Sequence, residues 1–402
     1  MKRNILSLLQ LILLSILFIS CKEESNPVVT PTEKQFSAEI EAKLEAALNK
    51  TIKENYIPGV IVGVWFPNEG TWVKAKGVSN ITTNEPMKVE NHFRMGSVTK
   101  TFTGTVVLKL VDQGLINLDS SLAYYLPQYP FPQANKITVR MLGNMTSGIY
   151  DITNDANFTQ TYFYVNGGTY PLTADSIVKA ALQFPLKFNP GTAYNYSNAN
   201  TILLGLICEK VTNKSIDVLL DEMIFTPCSL NNTYWPKSFF LSEPFSHGFS
   251  IFATTQEVKD VTYWSPSIWN AAGILITNIS NLGKWARLLG NGSLYSSAMH
   301  AERIKWTAES GNAYGFAMYD IAAGWIGHDG SVPGFTTACF YLPSKDAVIV
   351  VHVNSQIYDK RTQATPADAV FIALAEILTP HTTFAKNKIQ TLDQNVFPIK
   401  EK

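Results

Sequence analysis

Residues 94–104 read Arg-Met-Gly-Ser-Val-Thr-Lys-Thr-Phe-Thr-Gly, and both the fold and the chemistry are read outward from them. Ser97 and Lys100 stand three apart, ahead of an apolar-periodic run (Val106, Val107, Leu108, Leu110, Val111) that stops at Gly114. The pattern predicts a helix starting near Ser97, buried on several sides. Positions i and i+3 of a helix share a face, with Cβ atoms about 5–6 Å apart. A hydroxyl and an amine are then presented together where free backbone N–H groups concentrate. A serine hydroxyl is a weak nucleophile until an adjacent base activates it, and Ser-x-x-Lys supplies that base within one turn. Gly96 lets other backbone approach closely. A serine at the buried end of an apolar helix is a costly placement without a purpose.

The tetrad alone proves little, because Ser176-Ile177-Val178-Lys179 repeats it. That copy follows Asp175, a natural N-cap, and reads as an ordinary amphipathic helix. A second element is Tyr196-Ser197-Asn198, a phenol and an amide on a loop that enters the apolar stretch Thr201–Leu206. It too has a copy, Tyr164-Val165-Asn166, beside Gly167 and Gly168 in an aromatic stretch read as a loop. The third element is His328-Asp329-Gly330, followed by Ser331, ahead of the strand-like runs Ala338–Leu342 and Ala347–Val353. Glycines at 327, 330 and 334 suggest a strand edge kept bare for a ligand.

Ser-x-x-Lys, Tyr-x-Asn and His-x-Gly in this order resemble the serine beta-lactamase and penicillin-binding-protein superfamily, within it the group related to class C beta-lactamases and D-alanyl-D-alanine carboxypeptidases. The resemblance runs from about residue 38 to 380 and includes Gly114–Leu118 with Asp119, Met141–Gly148, Ala271-Ala272-Gly273 and Gly315-Phe316. It implies that Ser97 is the acylated nucleophile, Lys100 helps to deprotonate it, and Tyr196 carries the proton to the leaving group. It implies further that Asn198, His328, Asp329, Gly330 and Ser331 bind substrate, with the Ser97 and Ser331 backbone N–H groups forming an oxyanion hole. The choice between Lys100 and Tyr196 as base stays open, since the pair can titrate together. His328 stands where the family more often has lysine, and Asp329 where enzymes that grip a substrate carboxylate often carry threonine. A carboxylate substrate would meet like charge if Asp329 faces the cleft; the alternative is that it points away and caps a turn. Arg303, Lys305 and Lys345 are candidates to offset that charge.

Composition narrows the rest. Of 402 residues, 16% are charged and net charge is zero, below the typical quarter and without the basic stripe a nucleic-acid binder needs. There is no His-Glu-x-x-His, no Cys-x-x-Cys and no phosphate-cradling Gly-x-x-x-x-Gly-Lys loop; no metal or cofactor is called for. Lys2 and Arg3 precede an apolar run, Ile5–Ile19, too short for a confident span. Phe18-Ile19-Ser20-Cys21 resembles a bacterial lipobox, and Lys22-Glu23-Glu24 an export signal of some surface lipoproteins. The expectation is a signal peptide over 1–20, lipidation at Cys21, a flexible tether over 21–36 and an outer-membrane, surface-exposed location in the cell envelope. Three cysteines remain, Cys208, Cys228 and Cys339, which imply no disulfide framework.

The expected fold class is α/β (α+β), beta-lactamase/transpeptidase-like. Helix over Glu39–Lys53, strands over Gly59–Phe66 and Thr71–Gly77, and a closing helix over Pro366–Leu378 bracket a helix-rich middle. This gives a discontinuous domain, 37–96 with 265–385, holding an antiparallel sheet flanked by helices, an α-rich domain over 97–264, and a polar tail over 386–402. The expected function is a tethered serine hydrolase acting through an acyl-enzyme on a small peptide, amide or ester, with D-alanyl-D-alanine carboxypeptidase the nearest named activity. The alternatives are a beta-lactamase and, from another class, a surface binding protein without turnover. The sequence sets no oligomeric state.

Overall fold

The strand sequence Gly-Val-Ile-Val-Gly-Val-Trp-Phe, Gly59–Phe66, is apolar at nearly every position and buried almost throughout. Such a run needs cover on both faces. The computed structural model supplies it; residues 34–165, 168–252, 257–307, 313–322, 324–356, 365–380 and 384 are described. The strands are β1 (Gly59–Phe66), β2 (Gly70–Asn80), β3 (Glu85–Pro86), β4 (Ala313–Tyr314), β5 (Tyr319–Ala322), β6 (Trp325–Val332), β7 (Phe335–Leu342) and β8 (Ala347–Val353). They form one antiparallel sheet in the order β3-β2-β1-β8-β7-β6-β5-β4. An early strand and a late one therefore meet at its centre, where Val62 pairs with Val351 and Val351 with Ala338.

One face of the sheet is covered by α1 (Ala38–Glu54) and the last helix, α5 (Pro366–Leu378). Leu44, Leu48, Val370, Phe371 and Leu374 share a core layer there with Val60, Val62 and Ile349. Each helix starts at a side-chain cap: Ser37 accepts from the Ile40 N–H, and Thr365 forms a capping box with Asp368. The other face packs on α4 (Ile279–Gly290), with Leu282 and Trp285 in one core with Ile61, Cys339 and Val350. That core continues into the two long middle helices, α2 (Thr99–Asp112) and α3 (Asn198–Thr212). Trp285 ties the layers together. Its ring stacks on Phe102 at 3.8 Å, and its Nε1 donates to Thr101 Oγ1 at 2.8 Å.

The architecture is the mixed α/β arrangement expected, with an antiparallel sheet and flanking helices. The element bounds expected for β1 and α5 are matched, and those for α1 are met within one residue. Lys34–Phe36, at the end of the stretch read as a tether, are packed instead. The Thr71 N–H donates to Lys34 O at 2.7 Å, and Phe36 is buried against Phe66; an aromatic at position 36 gives the chain apolar area to bury. The signal peptide, Cys21 and the polar tail over 386–402 lie outside the described residues. Among the described residues no helix is long and apolar enough to cross a membrane, and Cys208, Cys228 and Cys339 are free thiols.

Candidate active site

The chain reaches Ser97 through a constrained turn. Gly96 has φ +56°, a left-handed conformation that glycine adopts at no steric cost. One 3-10 turn, Gly96–Val98, then feeds α2, so the helix proper starts two residues after the nucleophile candidate. The first ten residues of α2 are all buried, as expected from the apolar run. The 271–276 segment braces this corner. Met95 N–H donates to Leu275 O at 3.1 Å, Thr103 Oγ1 to Ala271 O at 2.7 Å, and Leu275 N–H to Thr99 Oγ1 at 3.2 Å.

Lys100 is fully buried. Its Nζ lies 2.9 Å from Ser97 Oγ, 2.6 Å from Asn198 Oδ1 and 2.9 Å from Ala272 O. It also stands over the Tyr196 ring, 4.8 Å from the centroid. Two of the three oxygens, the amide of Asn198 and the carbonyl of Ala272, can only accept. A neutral amine would give them its two hydrogens and turn its lone pair toward the Ser97 hydroxyl. Such an arrangement can take a proton from Ser97; the Ser-x-x-Lys spacing expected the two side chains to be presented together, and their Nζ and Oγ lie 2.9 Å apart.

The third element lies against the same corner. A β-carbon on Gly330 would stand 2.0 Å from Met95 O and 3.1 Å from Ser97 N, and one on Gly96 would stand 2.8 Å from Ser331 N. The backbones of Ser97 and Ser331 thus adjoin, while Ser331 Oγ accepts from Gln356 Nε2 at 3.0 Å. His328 is fully buried. Its Nδ1 lies 2.6 Å from the Asp329 carbonyl, which must accept, so the neutral ring presents Nε2 to Tyr314 OH at 3.2 Å. Burial holds its pKa below the usual histidine range. The Tyr314 and Tyr196 rings meet edge to face at 6.2 Å.

Asp329 is about a tenth exposed at its side chain. Its charge acts on Tyr319 and on Asp368, in the first turn of α5. Burial first, and Asp329 second, push the Asp368 carboxyl well above its ordinary range. Asp368 therefore holds its proton beside Asp329. Two of the bases offered as a counterweight to Asp329 are engaged elsewhere. Arg303 is fully buried and donates to Thr101 O, Phe316 O and Thr105 Oγ1. Lys345 pairs with Glu69 at 2.8 Å.

The copies behave differently. Ser176 is exposed in the helix Ala174–Ala181, where it completes a capping box with Thr173; Thr173, not Asp175, is the N-cap, and Asp175 instead pairs with Lys179 at 2.8 Å. Tyr164 falls in a π-helical turn, Thr161–Val165, and not in the loop expected, because the aromatic run packs there: Phe163 is buried and stacks on Trp264 at 4.7 Å. Asn166 lies outside the described residues.

The structure also brings in residues the motifs did not flag. Asp151 and Thr153 lie just beyond the Met141–Gly148 stretch, and both contact the Asn198 amide. Among the described residues no cluster of three acidic, histidine or cysteine side chains could hold a metal.

A buried serine–lysine pair, faced by a tyrosine–asparagine loop and a glycine-edged strand on this fold, marks a serine hydrolase of the beta-lactamase and penicillin-binding-protein superfamily. The family description "Beta-lactamase" matches residues 39–373, and the chain belongs to that family. It is 23% identical over 357 residues to "Protein flp" of Staphylococcus aureus, covering 81% of this chain and 68% of that protein. It is 25% identical over 203 residues to "Esterase EstB" of Burkholderia gladioli, covering 49% of this chain and 52% of the esterase. The fold superposes on a D-stereospecific amidohydrolase from a Streptomyces species with TM-score 0.72 and 28% identity, covering 78% of this chain and 94% of the other.

Proposed function

We propose that this chain hydrolyses small amides, peptides or esters through an acyl-enzyme on Ser97, with a D-alanyl-D-alanine carboxypeptidase-like peptidase as the nearest named activity. The observation that carries the reading is the contact of Lys100 Nζ with Ser97 Oγ at 2.9 Å inside a buried site. Lys100 accepts the Ser97 proton as Oγ bonds to the substrate carbonyl carbon. The oxyanion that forms lies between the Ser97 and Ser331 N–H groups. The bond to the leaving nitrogen or oxygen then breaks, and the proton passes by way of Tyr196 to that leaving group. Water, deprotonated by the same pair, attacks the acyl carbon; the bond to Ser97 Oγ breaks, the acid product leaves and the proton returns to Oγ.

Substrates without a carboxylate beside the scissile bond suit this site best, because Asp329 stands where relatives that grip a carboxylate often carry threonine. Relatives named as an amidohydrolase and an esterase support the same range. Compare labelling by a fluorescent penicillin with labelling by a fluorophosphonate. The reading expects strong fluorophosphonate labelling and weak turnover of penicillin. Rapid penicillin hydrolysis would make the chain a beta-lactamase, and no labelling by either probe would leave a binding protein.

The cell envelope is the proposed location, through a lipid on Cys21, and 37–96 with 265–385 and 97–264 are the proposed domains. The lipobox-like Phe18–Cys21 and the basic, apolar leader support the anchor. A radiolabelled lipid precursor should mark the wild type and miss Cys21→Ser; a mature protein released into periplasm or medium would refute the anchor.

A further inference from the structure

Asp151 feels the charge of Lys100; it is 5% exposed and held in a tight cage of donors. Its Oδ1 accepts from the Thr153 backbone N–H at 3.2 Å and from Thr153 Oγ1 at 2.9 Å. Its Oδ2 accepts from Asn154 Nδ2 at 2.8 Å and from Asn198 Nδ2 at 3.1 Å. The Thr153 hydroxyl has one hydrogen. Having given it to Asp151, it offers a lone pair, and Asn198 Nδ2 donates to that lone pair at 2.8 Å. Burial pushes the Asp151 carboxyl above its usual range, against the donors from Thr153 and Asn198 and the charge of Lys100; the directions given are those of its ionised form, which only accepts.

The consequence reaches the base. Both acceptors for the Asn198 NH2 lie on the Asp151 side, so its Oδ1 faces Lys100 at 2.6 Å. An oxygen there draws a hydrogen of Lys100 and leaves the amine's lone pair for Ser97. A flipped Asn198 would present NH2 instead, and the lone pair would be spent on it. We propose that Asp151 is a positioning residue that sets the orientation of the Asn198 amide and so aims the Lys100 lone pair at Ser97. The inference rests on the acyl-enzyme reading above and acts through Asn198.

Asp151→Asn tests it because the cage restricts the outcome. The new NH2 cannot face the Thr153 backbone N–H, a fixed donor. It must take the Oδ2 side, where it confronts both Asn154 Nδ2 and Asn198 Nδ2, and the disturbance is expected to reach Asn198. The crystal structure of the variant should show Lys100 Nζ withdrawn from Ser97 Oγ or Asn198 reversed. The kcat/KM for acylation should fall roughly 100-fold, the scale of a lost general base, mostly in kcat. In an Asn198→Ala background the same substitution should cost less than about twofold, since coupled groups fail together.

An Asp151→Asn enzyme with unchanged geometry and kcat/KM within about twofold of wild type overturns the proposal. So does an undiminished loss in the Asn198→Ala background, which marks a purely structural carboxylate. Should Asp151→Asn not fold, Asp151→Ala carries the test: it removes the carboxylate from Asn198 and Thr153 alike, and a rate within about twofold of wild type refutes the proposal. Should the wild type form no acyl-enzyme, the hydrolase reading fails by itself, and the geometry of the variant still decides the orientation claim.

Discussion

At the level of single residues, two glycines set the corner beside Ser97 for different reasons. Gly96 needs its positive φ, and Gly330 needs its missing side chain, because a β-carbon there would overlap Met95 O. Gly330→Ala should therefore push β6 away from the nucleophile and lower kcat/KM at least roughly 100-fold, the order of losing one oxyanion donor. Gly114 is the contrast. Its φ is +73° but its surroundings are open, so Gly114→Ala should cost stability of about 1 kcal/mol and leave kcat/KM unchanged; activity and melting of both variants check this. Lys100→Ala and Tyr196→Phe should each cut kcat roughly 100-fold or more. Their combination should cost far less than the product of the two losses, because one proton passes through both. A multiplicative double mutant would give the two residues separate tasks.

At the level of elements, β8 carries a buried histidine whose pH dependence has a definite sign. His352 stacks on Phe93 at 3.9 Å, bonds Ser246 Oγ at 2.9 Å, and has its pKa lowered by burial to about 3. In the unfolded chain a histidine titrates near 6.5. Between those values the unfolded chain binds a proton that the folded chain refuses. Its contribution is thus present above pH ~6.5 and is lost as pH falls toward 3. Thermal melting should show a shallower decline over this window for His352→Gln than for wild type; parallel curves would assign acid unfolding to other groups. These elements also show what the sequence disclosed. Unbroken apolar runs and clear caps made β1, β8, α1 and α5 legible within a residue or two. Asp151 was not legible, because its partner Asn198 is 47 residues away and no periodicity encodes such a contact. Arg303 misled for a related reason. Arginine is rarely fully buried, yet carbonyls of Thr101 and Phe316 from distant segments satisfy it inside the core.

At the level of the whole molecule, the sheet pairs β1 with β8, and the helix layer carries α2 and α3 against it. Neither layer holds the site alone. Ser97 and Lys100 come from the turn and start of α2, Asn198 from the start of α3, and Gly330 from β6. The sequence contained all three motifs but could not rank Ser97 over Ser176 by spacing. Burial ranks them, since Ser97 is enclosed with its lysine and Ser176 is an exposed cap. The central claim is that Ser97 forms the covalent intermediate. Its most direct test is the intact mass of the full chain after treatment with a fluorophosphonate, run on wild type, Ser97→Ala and Ser176→Ala. One adduct per chain is predicted for wild type and Ser176→Ala and none for Ser97→Ala; an adduct that survives in Ser97→Ala would contradict the account.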